Sequence, residues 1–386
     1  MIMALVIIGT GLAGYNLARE WRKLNPTDEL VIITRDDGRN YSKPMLSTGY
    51  TKGKTADQLA MQTAAQMAEQ LKADIRTFAS VSAIDATAKT ITVDGAVLAY
   101  DKLVLALGAD PFQPPLAGDG LARVYTVNDL LDYAKFQQAA AGKKNVIVIG
   151  GGLIGCEYAN DLSNGGYSVQ LIEPVGRVLP ALLPTMASHA VGSALEGLGV
   201  TFHFGVSVQA VYNEGEGVRA VLSDGKEISG DIVLSAIGLR PRIALAKEAG
   251  LTVNRGVVVN RLLATSQPDI YALGDCAEVD GLVLPYVLPL MAGARALAKT
   301  LSGQASPISY AAMPVQVKTP VCPVVVAPAF PHMQGEWLLD AQDGNSVKAL
   351  YKNSDGVLLG FALTGTFAGD AALKAELGKL VPAWLV

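Results

Sequence analysis

Charged residues are scarce in this sequence, and neither sign forms a concentrated run. Asp, Glu, Lys and Arg together make up 17% of the 386 residues, against about 25% in a typical soluble protein. The 31 basic and 35 acidic side chains leave a formal net charge of −4. Because nucleic-acid binding requires a basic surface that releases counterions from phosphates, the sequence predicts no nucleic-acid partner.

Cysteine, histidine and long hydrophobic runs are also sparse. Cys156, Cys276 and Cys322 are far apart, which excludes a disulfide scaffold and favours a reducing compartment. The three histidines lack the spacing of metal ligands, so we expect no metal site. No apolar run reaches the roughly 18 residues that a membrane-spanning helix requires, and residues 1–9 lack the charged region of a signal peptide. We therefore expect a cytoplasmic protein with no membrane insertion.

Glycine, by contrast, is abundant, and part of it lies in an internal repeat. Residues 5–16 (LVIIGTGLAGYN) and 146–157 (VIVIGGGLIGCE) each place an apolar run of strand type before G-x-G-x-x-G and a helical pattern. β-Branched runs follow at 30–34 and 168–173, so strand–turn–helix–strand occurs twice. In such a turn the glycines let a pyrophosphate approach the backbone and the helix N-terminus. The repeat predicts two dinucleotide-binding modules.

A second pair of similar segments closes the two modules. Residues 103–111 (LVLALGADP) and 233–241 (VLSAIGLRP) align Gly108 with Gly238, and we predict each segment to be a strand ending in A-x-G-x-x-P. A single G-x-G-x-x-G turn is a weak indication of nucleotide binding. Two such turns, each with a matching closing strand, are a strong one.

The acidic residue that recognises a ribose lies about 20 positions after the third glycine. Glu173 takes this position in the second copy and ends a predicted strand, so this copy favours NADH, although the nearby Arg177 weakens the exclusion of NADPH. In the first copy the position holds Thr34, and Arg35 follows it. The first copy therefore predicts an altered ribose contact.

A third segment, 265–277 (TSQPDIYALGDCA), ends a predicted strand with Gly274 and Asp275. The aspartate is either an ordinary turn residue or a hydrogen-bond acceptor for a polyol. The order of all these motifs resembles that of the flavoprotein reductases with two dinucleotide-binding domains, from residue 4 to about 300. The resemblance implies FAD in the first module, NAD(P)H in the inserted second module, and contact between Asp275 and the ribityl chain of FAD.

The resemblance also assigns cofactor contacts residue by residue. The implied FAD contacts in the first module are Gly9, Gly11, Leu12, Ala13, Gly14, Thr34, Arg35, Ala106, Gly108, Gly274 and Asp275. The implied NAD contacts in the second module are Gly150, Gly152, Leu153, Ile154, Gly155, Glu173 and Gly238.

Glu157 and Lys43 are the candidates for residues beside the flavin. Glu157 follows Gly155, where the first copy has Asn16, so the fold itself needs no carboxylate there. The carboxylate either interacts with the helix dipole or faces the nicotinamide and the flavin. Segment 41–47 (YSKPMLS) is similar to one that passes beside the isoalloxazine in reductases that serve small iron proteins. This similarity implies that Lys43 pairs with Glu157 near flavin N5; otherwise Lys43 is a solvated loop residue.

The C-terminal part predicts a small α+β domain. Residues 313–326 (MPVQVKTPVCPVVV) precede a predicted hairpin over 347–363 and a helix near 371–380. The V-K-T-P-x-x-P stretch is similar to that of rubredoxin and flavorubredoxin reductases, which extends the resemblance to essentially the whole chain. Lys318 is thereby implied to contact the isoalloxazine; otherwise it is a strand lysine facing water. The resemblance implies two further backbone contacts to FAD, from Val81 and Val287.

The chain lacks the paired cysteines that relay electrons in disulfide reductases of this superfamily. Reduced flavin must then pass its electrons directly to an acceptor, and the resemblance implies rubredoxin, which serves alkane hydroxylation or oxygen defence. A flavin can split a hydride into single electrons, whereas nicotinamide cannot. The alternatives are a ferredoxin or flavorubredoxin reductase, a non-enzymatic NADH-sensing flavoprotein, and a thiol-dependent oxidase.

The sequence thus predicts an α/β fold with two Rossmann-like FAD- and NAD(P)-binding domains, each a three-layer ββα unit, and a small C-terminal α+β domain. The expected boundaries are 1–112 and 245–305 for the FAD domain, 113–244 for the NAD(H) domain, and 306–386 for a domain that covers the flavin. We expect NADH to reduce FAD, and FAD to reduce rubredoxin. The expected catalytic residues are Lys43, Glu157 and Lys318.

Overall fold

The first sheet begins at the apolar run near the N-terminus. The computed structural model describes residues 4–330 and 332–385. The elements before the first crossover are β1 Ala4–Ile8, α1 Leu12–Leu24, β2 Glu29–Ile33, β3 Asn40–Tyr41, α2 Ala56–Leu59, β4 Ala60–Gln62, α3 Ala64–Leu71, β5 Asp74–Arg76, β6 Val81–Asp85, β7 Thr90–Val93, β8 Ala96–Ala99, β9 Lys102–Leu105 and β10 Ala109–Pro111. β1 pairs in parallel with β2 and β9, and its apolar residues are almost all buried, as expected for a sheet covered on both faces.

The second module repeats this plan. Its elements are β11 Val124–Tyr125, α4 Leu130–Ala140, β12 Asn145–Ile149, α5 Leu153–Asn164, β13 Ser168–Glu173, α6 Thr185–Gly197, β14 Thr201–Phe204, β15 Val208–Glu214, β16 Gly217–Leu222, β17 Glu227–Gly230, β18 Ile232–Ser235 and β19 Leu239–Pro241. The parallel sheet has the order β11-β18-β12-β13-β14, and β15, β16 and β17 form a separate antiparallel sheet. Each module therefore has two layers of sheet and one of helix, which is the predicted ββα arrangement.

After the second module, the chain returns to the first sheet. The returning elements are α7 Ala244–Glu248, β20 Val257–Val259, β21 Ile270–Ala272, β22 Ala277–Val279 and α8 Val287–Leu301. β21 pairs in parallel with β9 and completes the order β21-β9-β1-β2-β5. Both α1 and α8 contribute buried side chains to the core of this module. The first module is thus assembled from two separate stretches of chain.

The C-terminal part forms an antiparallel sheet with two helices. Its elements are β23 Val315–Val317, β24 Val324–Ala327, β25 Glu336–Asp343, β26 Ser346–Lys352, β27 Leu358–Thr364, α9 Gly365–Gly369 and α10 Ala371–Leu380. β26 and β27 form the predicted hairpin, and the sheet order is β23-β24-β27-β26-β25. The fold class is as predicted. Among the helices of the described residues, none has the length and apolarity that a bilayer crossing requires.

The two A-x-G-x-x-P segments differ from the prediction of single closing strands. Each parallel strand, β9 or β18, ends before its glycine, and a separate short strand, β10 or β19, follows. The break occurs because Gly108 and Gly238 adopt φ values of +71° and +106°, which turn the chain out of the sheet. β10 and β19 then pair antiparallel with each other. This small ribbon joins the two crossings between the modules.

An aromatic cluster packs the two modules together. Tyr50 lies between β3 and α2 of the first module. Its ring makes edge-to-face contacts with Tyr133 and Phe136 of α4 and with Tyr167. Phe136 is fully buried and also contacts Tyr158 of α5 edge to face. Because aromatic pairs of this geometry add to the free energy gained from burial, the cluster holds α5 against the first module.

Replacing the central ring of this cluster tests its contribution. We expect Phe136→Ala to lower the free energy of unfolding by about 3–5 kcal/mol, because it leaves a cavity among buried rings. Met61→Ala is the matched control, since Met61 is 61% exposed and its truncation should change stability by less than ~0.5 kcal/mol. Urea unfolding followed by tryptophan fluorescence measures both. Equal stability of the two variants would contradict the role of the cluster.

Candidate functional site

The first glycine turn combines one tightly packed glycine with one that faces open space. A Cβ atom built on Gly14 would lie 1.9 Å from the carbonyl oxygen of Gly9, so only glycine lets α1 pack on the end of β1. Gly9 itself has a φ of +120°, and a Cβ on it would lie 2.2 Å from the carbonyl oxygen of Ala106. A Cβ on Gly11 would meet no atom within 4 Å. The backbone at Gly11 is therefore open to a ligand at the point where α1 begins.

The second glycine turn has the same geometry. A Cβ on Gly155 would lie 1.8 Å from the carbonyl oxygen of Gly150, whose φ is +101°. A Cβ on Gly152 would meet no atom within 4 Å. Neither α1 nor α5 has a side-chain cap or an acidic residue in its first turn, so its first N–H groups, which include those of Leu12, Ala13, Leu153 and Ile154, are free of side-chain acceptors. Both turns thus fit a pyrophosphate group.

The ends of β2 and β13 carry the residues predicted to recognise a ribose. Glu173 is buried beside the second glycine turn, where its carboxylate accepts hydrogen bonds from the N–H groups of Gly151 (2.7 Å) and Val175 (2.9 Å). At the corresponding end of β2, the hydroxyl of Thr34 donates to the carboxylate of Asp36 at 2.7 Å. Arg35 is exposed. The acidic group of the first module is therefore supplied by Asp36 rather than by the strand-end residue itself.

The Gly274–Asp275 turn lies against the first glycine turn. Gly274 has a φ of +77°, and a Cβ on it would lie 2.8 Å from the Cβ of Ala13. The Asp275 carboxylate lies 4.0 Å from the Nζ atom of Lys43. The Asp275 carboxylate, which can accept hydrogen bonds from a polyol, and the Lys43 ammonium thus lie near the start of α1. In the part of the chain that the structure describes, no equivalent turn follows the sheet of the second module. The geometry suits a ligand with a polyol chain in the first module.

Glu157 is fully buried and lies where all three parts of the molecule meet. It is the fifth residue of α5 and accepts a hydrogen bond from the hydroxyl of Ser47 at 2.5 Å. Lys318, one residue after β23, donates its backbone N–H to Glu157 Oε1 at 2.8 Å and pairs its ammonium with Oε2. A buried carboxylate needs such donors, because desolvation of an unpaired charge costs several kcal/mol.

The predicted pairing of Lys43 with Glu157 is wrong. Lys43 begins a short 3₁₀ segment, and it is Ser47, farther along this segment, that reaches α5. The Lys43 ammonium instead donates to Oδ1 of Asn128 at 2.7 Å. Burial lowers the pKa of Lys43, an effect that Asp275 opposes. The partner of Glu157 is Lys318, which excludes the alternative that Lys318 is a strand lysine facing water.

A cavity opens beside the Glu157–Lys318 pair. Its volume is about 380 Å³, within the range of small-molecule sites. Its lining combines all three parts of the chain and includes Met45, Ser47, Asn160, Lys318 and Thr319. Three lysines, Lys318, Lys52 and Lys374, and the carboxylate of Asp161 also line this space.

The remaining predicted site residues are dispersed around these turns. Gly108 and Gly238 lie in the two crossings between the modules. A Cβ built on Gly108 would lie 4.0 Å from a guanidinium nitrogen of Arg242. Val81 begins β6 and is half-buried, and Val287 is the first residue of α8 and is 40% exposed.

Two residues that touch the candidate catalytic groups were not predicted as site residues. Ser47 was visible in the segment YSKPMLS, but no sequence signal marks Asn128.

Comparison with known proteins agrees with this geometry. Residues 3–300 match the family described as pyridine nucleotide-disulphide oxidoreductase, over the two modules that carry the glycine turns. The chain belongs to this family. Residues 307–377, which include Lys318, match a second family, described as rubredoxin binding C-terminal domain. The oxidoreductase class that the resemblance implied is thereby confirmed.

Several known proteins are similar to the whole chain. A rubredoxin-NAD(+) reductase from Alcanivorax borkumensis is 58% identical, with 98% of each chain covered. A nitric oxide reductase FlRd-NAD(+) reductase from Vibrio vulnificus is 38% identical, with 95% of this chain and 96% of the relative covered. A solved ferredoxin reductase for the CYP199A2 system of Rhodopseudomonas palustris has a TM-score of 0.86 at 25% identity, covering 94% of this chain and 91% of that one.

Two alanine variants separate the roles of the glycines in the first turn. Gly14→Ala should lower the free energy of unfolding of the apoprotein by about 1–3 kcal/mol, because the new methyl group overlaps a backbone carbonyl. Gly11→Ala should leave the apoprotein as stable as the wild type, since space exists for the methyl group, but it should lose bound flavin. Thermal unfolding of the apoproteins and the visible absorbance of the purified proteins measure these effects. Flavin retention in Gly11→Ala would contradict the assignment of this turn.

Proposed function

We propose that this oxidoreductase binds FAD in its first module, takes electrons from NADH bound to its second module, and delivers them to rubredoxin. The observation that carries the proposal is the Glu157 cluster, in which the NADH-side helix α5 is bonded to Lys318 of the rubredoxin-binding domain. The relative from Alcanivorax borkumensis, which carries the same activity in its name, supports it.

The residues that would hold FAD lie in the first module. The open N–H groups at the start of α1 would bind its pyrophosphate, and Asp275 would accept hydrogen bonds from its ribityl hydroxyls. Lys43 and Lys318 would supply positive charge beside the ring. FAD, when bound, accepts a hydride from NADH and releases the two electrons one at a time. Lys43 stays oriented because Asn128 accepts its hydrogen bond at 2.7 Å.

The residues that would hold NADH lie in the second module. The start of α5 would bind its pyrophosphate, and Glu173 would accept hydrogen bonds from its ribose. A carboxylate at this place also repels the 2′-phosphate of NADPH. Catalysis by the chain is then mainly positioning: the two modules, joined by the ribbon of β10 and β19, would orient the bound nucleotides toward each other.

The cysteines support direct transfer rather than a thiol relay. All three are free and buried. Burial raises the pKa of Cys276 to about 11, and it also raises the pKa values of Cys156 and Cys322. A thiol that stays protonated is a poor nucleophile. Free cysteines are also typical of a reducing compartment, which supports a cytoplasmic location.

The decisive experiment follows electrons from NADH to the acceptor. Anaerobic addition of NADH should bleach the flavin absorbance of the purified protein, and rubredoxin added next should lose its visible band. Flavin bleaching too slow for turnover would instead favour the NADH sensor. A variant with all three cysteines replaced by serine should keep the activity, whereas its loss would favour a thiol-dependent oxidase.

Comparison of acceptors tests the choice of rubredoxin. Because the relative from Vibrio vulnificus is an FlRd-NAD(+) reductase, flavorubredoxin is the second candidate acceptor. We expect the highest kcat/KM with rubredoxin under identical NADH concentration and ionic strength. A higher value with flavorubredoxin or with a [2Fe–2S] ferredoxin would contradict the proposed acceptor while leaving the reductase activity intact.

The preference for NADH should depend on Glu173. We expect Glu173→Ala to raise the KM for NADH roughly tenfold, the effect of losing a hydrogen bond to a charged group. The KM for NADPH should change less, because the variant also removes repulsion of the 2′-phosphate. Steady-state kinetics with both nucleotides measures this. Equal changes in the two KM values would reject the ribose role.

A further inference from the structure

We propose that Ser47 is a positioning residue for electron transfer, acting through Glu157. The proposal rests on the proposed function, because it concerns how the chain places a carboxylate beside the flavin. Its basis is a buried hydrogen bond: the Ser47 hydroxyl lies 2.5 Å from Glu157 Oε2, and both side chains are almost fully buried. The contact joins the first module to the first turns of α5.

The donors around Glu157 show what Ser47 contributes. Oε1 accepts the backbone N–H of Lys318, which is fixed by β23. Oε2 accepts the ammonium of Lys318 and the hydroxyl of Ser47. The ammonium ends a long side chain that is 29% exposed, so it can move, whereas a serine hydroxyl has one rotatable bond to its backbone. Ser47 is therefore the short, rigid donor that fixes the orientation of Oε2.

The local backbone directs this hydroxyl toward α5. Ser47 has φ −86° and ψ 25°, which interrupts the 3₁₀ segment Lys43–Thr48 and separates it into two turns. The carbonyl oxygen of Pro44 is 3.4 Å from the hydroxyl, much farther than Glu157. A hydroxyl donates only one hydrogen bond, so the closer carboxylate receives it. The hydroxyl of Thr48, the next residue, donates instead to the carbonyl of Met45 at 2.9 Å, within the same segment.

Loss of the Ser47 hydroxyl should free the carboxylate to rotate. The two Lys318 donors would then have to follow one moving group, and the bond between Glu157 and the Lys318 N–H should weaken. Glu157 lies two residues after the last glycine of the second glycine turn, and Lys318 lines the cavity. The side chains of both residues would therefore become less ordered near the proposed positions of the reacting rings. We expect slower flavin reduction rather than weaker nucleotide binding.

The experiment compares Ser47→Ala with Ser47→Thr, which keeps the hydroxyl. In stopped-flow measurements at saturating NADH, Ser47→Ala should reduce its flavin roughly tenfold more slowly, as expected for loss of a hydrogen bond to a charge. The Kd for NADH should change less than about twofold. Ser47→Thr should recover most of the rate.

A readout on the apoprotein is independent of the flavin. Hydrogen–deuterium exchange of the Lys318 amide should be faster in Ser47→Ala than in Ser47→Thr, because that N–H is held by Glu157. In a Glu157→Ala background, Ser47→Ala should have no further effect on this exchange or on flavin reduction. Equal exchange and equal reduction rates in Ser47→Ala and the wild type would overturn the proposal.

The two proposals fail in different ways. If the wild-type protein binds no flavin, or if NADH does not reduce it, the proposed function fails, while exchange of the Lys318 amide still reports whether Ser47 positions Glu157. If Ser47→Ala does not fold, the comparison of Ser47→Thr with a Ser47→Cys variant, whose thiol is a weaker donor, decides. Faster Lys318 exchange in the cysteine variant supports the positioning role, and unchanged exchange contradicts it.

Discussion

The buried charge of Glu157 constrains the whole site. A carboxylate without solvent must be paired and hydrogen-bonded, or the fold loses several kcal/mol. The chain meets this requirement with donors from two distant segments, Ser47 of the first module and Lys318 of the C-terminal sheet. Since α5 carries Glu157, the three parts of the molecule share one electrostatic contact. Their relative positions are therefore coupled through the donors of a single carboxylate.

The glycine turns impose a second constraint, which acts through sterics alone. In both modules the third glycine contacts the carbonyl of the first too closely for any side chain, and the middle glycine faces open space. The first contact fixes the helix on its strand, and the open face admits a phosphate. One short sequence pattern thus determines both the local packing and the place of the ligand, which explains why the pattern predicts function as well as fold.

The glycine turns depend on residues close together in the sequence, whereas the Glu157 contacts join distant segments. This difference explains what the sequence could predict. The turns, the flanking strands and the return of β21 to the first sheet follow from local patterns such as LVIIGTGLAGYN and YALGDCA. The partner of Glu157 does not, because Lys43 and Lys318 are both lysines near prolines and only the three-dimensional placement of β23 distinguishes them. Asn128 was missed for the same reason: its contact with Lys43 spans two modules. Sequence motifs identify residues that act on the backbone nearby better than those that meet across domains.

The choice of Lys318 gives the C-terminal domain a role beyond binding a partner. If this domain only supplied a docking surface, the two nucleotide modules would complete the buried pair by themselves. Here Glu157 takes its cation from the domain that matches the rubredoxin-binding family, and the chain has no paired cysteines to carry electrons instead. Removal of the domain would leave a buried carboxylate without its cation. A common two-module frame can therefore be adapted to a one-electron acceptor by the same domain that supplies the cation for the buried carboxylate.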